Sequence, residues 1–193
     1  MNTPVHLIVG WAAFGRRERP RETVAAIAGG LAPDLSLYLL VLWAWAIEGR
    51  TARQIFGEDY FSPAWQAVFA VDNSVFVWSA LLAAGLAGRI PWFWAFAGAA
   101  LLHLALDLPL HAGDGRPHFW PISDWVFDSP VSYWDVNHHA AIIAPLETLL
   151  ALVLAALIAR RHWPQVLPLA FVAILLIPQL MVSGFWTLVF STL

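Results

Sequence analysis

Six apolar stretches fill most of this chain: residues 4–15, 23–47, 65–88, 91–110, 140–159 and 163–190. Most are near twenty residues long and none alternates. A helix rises ~1.5 Å per residue and a bilayer core is ~30 Å thick, so such runs match membrane-spanning helices. Hydrophobic residues make up 60% of the 193, with 12 Trp and 12 Phe against 12% charged residues. A soluble domain of this size cannot bury that much apolar surface. The absence of alternation argues against a barrel. The expected fold is all-α: a polytopic integral membrane helical bundle, residues 1–193 forming a single membrane domain. It should have about five spanning helices plus a short N-terminal helix. That helix, 4–15, would reach only roughly 18 Å, too short to cross alone, and reads as re-entrant or interfacial. It does not read as a signal peptide, because the basic cluster follows the apolar run instead of preceding it.

Gly29-Gly30 and Pro33 interrupt the second stretch. Pro33 suits the first turn of a new helix, with Asp34 at its positive end, so a discontinuous helix with a carboxylate at the break is expected. The chain has ten arginines and no lysine, which rules out Schiff-base chemistry on lysine. If the stretches cross alternately, Arg16, Arg17, Arg19, Arg21, Arg89, Arg160 and Arg161 share one side, which the positive-inside rule makes cytoplasmic. Arg50, Arg53 and Arg116 fall on the other. The polar loop 112–137 then faces outward, toward the periplasm if the membrane is a bacterial inner membrane. No basic patch points to nucleic acid. With no cysteine, thiolate metal sites and a cysteine nucleophile are excluded.

His103 and Asp107 lie one helical turn apart within the fourth stretch and share a helix face, where they can bind one metal ion. In hydrocarbon each is costly unless paired, hydrated or metal-bound. His111 continues the spacing as H-x-x-x-D-x-x-x-H, just beyond the helix end that Pro109 imposes. A His/Asp set without cysteine suits zinc first, with manganese or iron as alternatives. His6 places an imidazole in the short first helix. Asp72 and Asn73 put an acid and an amide inside an apolar run, with Ser74 beside them. His138 and His139 open the fifth stretch, and Glu147 follows Pro145. Each also has a plain structural reading: a helix–helix hydrogen bond for His103, a cap for Asp34, interfacial positions for the histidine pair.

His6 in a short N-terminal helix, Gly29-Gly30 then Pro33-Asp34, Ser74, His103-x-x-x-Asp107, and then Gly115 and Trp120-Pro121 form an order that resembles the membrane-bound metal-dependent hydrolases related to the LexA-regulated inner-membrane protein YdjM. The resemblance spans roughly residues 4–121. It implies a small polytopic helical protein with a kinship to zinc-dependent phospholipase C. It also implies a divalent metal held by His6, Asp34, His103 and Asp107. Two positions depart from the family: Ser36 stands where a second acid is often found, and Asn73 where a histidine commonly precedes the serine.

The resulting expectation is a membrane-embedded hydrolase of an ester or phosphoester in a lipid or lipid-linked substrate, with metal-activated water as nucleophile. Asp72, His111 or His139 would act as the base, with Asn73, Ser74, His138 and Glu147 as supporting or substrate-contacting groups. The rival expectation is a non-catalytic membrane subunit or assembly factor of a larger respiratory or photosynthetic complex, with small residues at Gly85, Gly88, Gly98 and Ala99 permitting close helix packing. Under that reading His103 could be a ligand for a pigment or haem. A proton or ion relay through Asp34, Asp72, His103 and Asp107 is a third.

Overall fold

The computed structural model describes residues 1–180, and its named elements are all helical. In order they are α1 (Thr3–Phe14), α2 (Pro20–Ala46), a short α3 (Ala52–Gln54) running into a π-helical turn (Ile55–Asp59), α4 (Pro63–Asp72), α5 (Val75–Ala87), α6 (Pro91–Asp107), two short 3-10 turns (Leu108–Leu110 and Val136–His138), α7 (Ala140–His162) and α8 (Val166–Leu180). Four segments are long and apolar enough to cross a membrane: Pro20–Ala46, Pro63–Ala87, Pro91–Leu110 and Ala140–His162. The protein is a helical membrane bundle, as its composition requires. The described part of the sixth stretch is α8; the rest of that expected span lies outside the described residues.

Local chemistry sets the helix starts. Pro20, Pro63 and Pro91 open α2, α4 and α6, where a missing N–H costs nothing because that donor has no partner in the first turn. Ser62 and Ser74 cap α4 and α5, their hydroxyls accepting from the backbone N–H of Trp65 and Val77.

The second and third stretches differ from expectation in opposite ways. α2 runs unbroken through Gly29, Gly30 and Pro33, so Asp34 sits in mid-helix and not at a new N-terminus. The glycines serve close packing instead of a break: a Cβ on Gly29 would lie 2.0 Å from the Phe96 carbonyl oxygen of α6, and one on Gly30 2.6 Å from that of His6 in α1. The third stretch, by contrast, is interrupted at Asn73-Ser74. There the Asn73 carbonyl accepts from His118 Nδ1 at 3.0 Å, and Val75 N–H donates to the His118 carbonyl at 2.9 Å.

α6 is the central helix, with 44% of its apolar window buried against 22–28% in the other three spans. α1 is a core helix too. Its Val5, Ile8, Val9 and Trp11 pack in one cluster with Ala151, Ala155 and Ile158 of α7 and Val172 and Leu175 of α8. Neighbouring helices cover most of α1. The arginine-rich segments meet at one end of the bundle, where Arg17 donates to the Trp163 carbonyl at 3.0 Å and Arg161 to that of Ala12 at 2.6 Å. Toward the other end, loop 112–137 is tied down over the helices by Ser74 Oγ on the Trp120 carbonyl (2.5 Å) and Tyr60 on the Asp114 carbonyl (3.1 Å).

Candidate metal centre

α6 presents His103 and Asp107 on its buried face, one turn apart. α1 brings His6 against them because Gly30 lets the two backbones touch. The His6 and His103 rings stack with centroids 3.5 Å apart and planes 12° from parallel. His6 Nε2 lies 2.8 Å from Asp107 Oδ1, and His103 Nε2 lies 3.2 Å from Asp107 Oδ2. Donor atoms of His6, His103 and Asp107 all lie within 4.8 Å of one another, and all three residues are buried.

One ring proton of His103 is placed by its surroundings. Its Nδ1 is 2.8 Å from the Gly30 carbonyl, so Nδ1–H donates there. Nε2 is turned toward the carboxylates of Asp107 and, at 3.7 Å, Asp34. That buried Nε2 has no hydrogen-bond partner, and neither has His6 Nδ1. Facing two carboxylates, Nε2 either carries a second proton or shares a cation with them. Two donors about 2.0 Å from one tetrahedral ion stand roughly 3.3 Å apart, close to the 3.2 Å between His103 Nε2 and Asp107 Oδ2. The set therefore fits a divalent ion, with His103 oriented by a backbone carbonyl in the way that metal-binding histidines usually are.

Asp34 stands beside the trio without completing it. Its Oδ2 accepts from Thr3 Oγ1 at 2.5 Å, and Thr3 accepts from the Tyr38 hydroxyl at 2.8 Å. His111 extends the cluster on the far side: Nε2 is 3.3 Å from Asp107 Oδ2 and Nδ1 is 3.0 Å from Asp114 Oδ2. Burial works against charge on His111, but the nearby Asp107 and Asp114 carboxylates outweigh it and hold this imidazole above its ordinary pKa. The Met1 amino nitrogen also approaches Asp107 Oδ1, at 2.5 Å.

Compared with family models, curated proteins and solved structures, the chain matches none of them. The site is read from its own geometry.

The other predicted residues lie elsewhere. Asp72 is half-buried at the end of α4, and its backbone carbonyl accepts from Trp78 Nε1 at 2.6 Å. Asn73 is buried and reaches the Phe69 and Pro33 carbonyls at 3.1 and 3.4 Å. Ser74 is spent on its cap and on Trp120. His138 Nδ1 pairs with Asp135 at 2.6 Å, and His139 is exposed at the start of α7 with a left-handed backbone, φ 66°. Glu147 is buried and accepts from both nitrogens of Asn2, at 2.8 and 2.9 Å, which anchors the segment leading into α1. Thr3, Asp114 and Arg116 join the polar interior unannounced by periodicity. The only sequence sign for Asp114 is its place three residues after His111.

Proposed function

We propose that this protein is a membrane-embedded metal-dependent hydrolase acting on an ester or phosphoester of a lipid or lipid-linked substrate. The observation that carries the reading is the buried His103 Nε2, left without a hydrogen-bond partner and aimed at Asp107 and Asp34. His6, His103 and Asp107 would hold a divalent ion, zinc first by donor type, with Asp34 at its margin. Such an ion supplies a Lewis acid for the substrate oxygen and makes water a competent nucleophile near neutral pH. Asp107 lies within 2.8 to 3.3 Å of a ring nitrogen of each of His6, His103 and His111. His111, between Asp107 and Asp114, is the group placed to take up or deliver a proton at the edge of the site. A lipid substrate is the choice because His103, Asp107 and Asp34 project from helices long and apolar enough to cross a membrane, with His6 on the shorter apolar α1.

The order of these residues accords with the YdjM-related hydrolases, and we place the chain in a bacterial inner membrane with the site toward the periplasm. A pigment or haem on His103 has less support, because His103 Nε2 faces carboxylates only 3.2 and 3.7 Å away.

Elemental analysis tests the proposal on protein purified in dodecyl maltoside through a tag without histidines. Wild type should carry at least one equivalent of zinc, manganese or iron, and His103→Ala and Asp107→Asn should lose it together with ester or phosphoester turnover. Wild type free of metal after reloading and dialysis would overturn the reading.

A further inference from the structure

Arg116 is the only one of the ten arginines that is buried, at 7% exposure. A guanidinium keeps its proton at any accessible pH, so its burial demands a compensating anion. Among the described residues no carboxylate forms an ion pair with it, and its Nη1 has no hydrogen-bond partner. Two aromatic rings cover it, with the guanidinium carbon 4.2 Å from the Phe69 centroid and 5.6 Å from that of Tyr60. Such contacts offset only part of the lost hydration of a full charge.

Its place in the fold is defined from both sides. Two residues upstream, Asp114 contacts His111, which contacts Asp107. Two residues downstream, His118 donates its backbone N–H to the Arg116 carbonyl at 2.9 Å and its Nδ1–H to Asn73. Asn73 in turn reaches Pro33, next to Asp34. The charges that act on Arg116 through space include Asp34, Asp107 and Asp114; Asp34 is engaged with Thr3, Asp107 with the histidines and Asp114 Oδ2 with His111 and Trp134, while Asp114 Oδ1 has no hydrogen-bond partner. A buried cation thus borders the candidate metal centre with hydrogen-bonding capacity to spare.

We infer that Arg116 is the anion-binding residue of this site and takes the phosphoryl group of the substrate, so that the hydrolase acts on a phosphoester and not on a carboxylic ester. The inference rests on the hydrolase reading for the reaction but not for the binding. The planar fork of a guanidinium matches two phosphoryl oxygens, and a charge excluded from water binds them strongly. A neutral carboxylic ester would offer the guanidinium no anion to pair with.

The test is calorimetric titration of the full chain in dodecyl maltoside. Inorganic phosphate is one probe and dioleoylphosphatidic acid in mixed micelles the other, with chloride and dioleoylglycerol as blanks. Metal content is measured on the same samples. Wild type should bind at least one probe, Arg116→Gln should weaken that binding tenfold or more, and Arg116→Lys, which keeps the charge but not the fork, should fall between. Metal content should be unchanged in both. Binding of phosphatidic acid identifies a lipid phosphate as the occupant, and binding of inorganic phosphate alone a water-soluble one; either supports the inference. Should Arg116→Gln fail to fold, the Lys variant carries the test, with a loss of at least threefold expected. Equal binding by wild type and the folded variants, or no binding of either probe by wild type, overturns it. Arg116-dependent binding by a protein that holds no metal would sink the hydrolase reading and leave the anion site standing.

Discussion

Replacing Gly30 by alanine asks whether the candidate metal centre is built by contact between two helix backbones. A Cβ at that position would lie 2.6 Å from the His6 carbonyl oxygen, 3.0 Å from its carbonyl carbon and 3.2 Å from Leu7 Cα. All three are backbone atoms of α1, so no side chain can rotate out of the way. Ordinary contact begins at 3.4 Å, so α1 must withdraw from α2 by about 0.8 Å, an overpacking strain of about 1–3 kcal/mol. Metal–ligand distances hold only within about 0.2 Å. A displacement four times that size pulls His6 from His103 and Asp107 although no ligand has been removed. It also disturbs the Gly30 carbonyl that holds His103 Nδ1. Chelator competition should show metal affinity reduced at least tenfold in Gly30→Ala. Gly57→Ala, whose added Cβ would meet nothing within 4 Å, should retain wild-type affinity. Unchanged affinity and thermal stability in Gly30→Ala would refute the claim that the α1–α2 approach sets the site.

Three further outcomes are expected. Ser74→Ala deletes both the α5 cap and the bond to Trp120, at a cost of about 1–2 kcal/mol; limited proteolysis within 112–137 should quicken, and an unaltered cleavage rate would contradict the pinning of that loop. Because the chain has no cysteine, single cysteines report orientation cleanly: Val136→Cys, on a residue 78% exposed, should react with an impermeant maleimide in intact cells, and Arg160→Cys only after permeabilisation, the reverse pattern inverting the proposed topology. The Asn137 amide, and next the His138 ring, hold Asp135 below the ordinary carboxylate value of 3.8. A depressed acid contributes stability above its unfolded pKa and loses it as pH falls through the folded one, so the Asn137 amide resonance should titrate with a midpoint under 3.8, and a midpoint above it would show that the turn before α7 is not held this way.

The spans were legible because a bilayer imposes length and composition on any helix that crosses it, and the His103–Asp107 pair because a four-residue spacing maps directly onto one helix face. His6 was legible as an anomaly, an imidazole in an apolar helix. The interruptions were not. Gly29-Gly30-Pro33 carries the usual signature of a broken helix, but the same glycines serve equally where another backbone must come close, and sequence spacing does not distinguish the two uses. The actual break at Asn73-Ser74 contains neither glycine nor proline. It exists because His118, more than forty residues away, supplies hydrogen bonds that a continuous helix would have closed internally. Asp114 and Arg116 were hidden for a related reason: they lie on a loop with no periodicity, and only its docking on α4, α5 and Tyr60 carries them inward.

The same docking bears on how charge is tolerated at this depth. Three carboxylates and three imidazoles gather between α1, α2, α6 and the start of the loop, in a bundle whose outer surface is apolar. Charges in such surroundings persist only if their partners are held as firmly as they are. The partners here come from separate parts of the chain: Thr3 for Asp34, Gly30 for His103, Trp134 for Asp114, with Tyr60 and Phe69 over Arg116. The cluster's bonded polar atoms thus depend on packing between elements distant in sequence, while others, among them His103 Nε2, His6 Nδ1, both His111 nitrogens, Asp114 Oδ1 and Arg116 Nη1, have no hydrogen-bond partner, and of these His103 Nε2 marks capacity for a cation and Arg116 Nη1 capacity for an anion. A metal-assisted attack on a phosphoester requires those two capacities side by side.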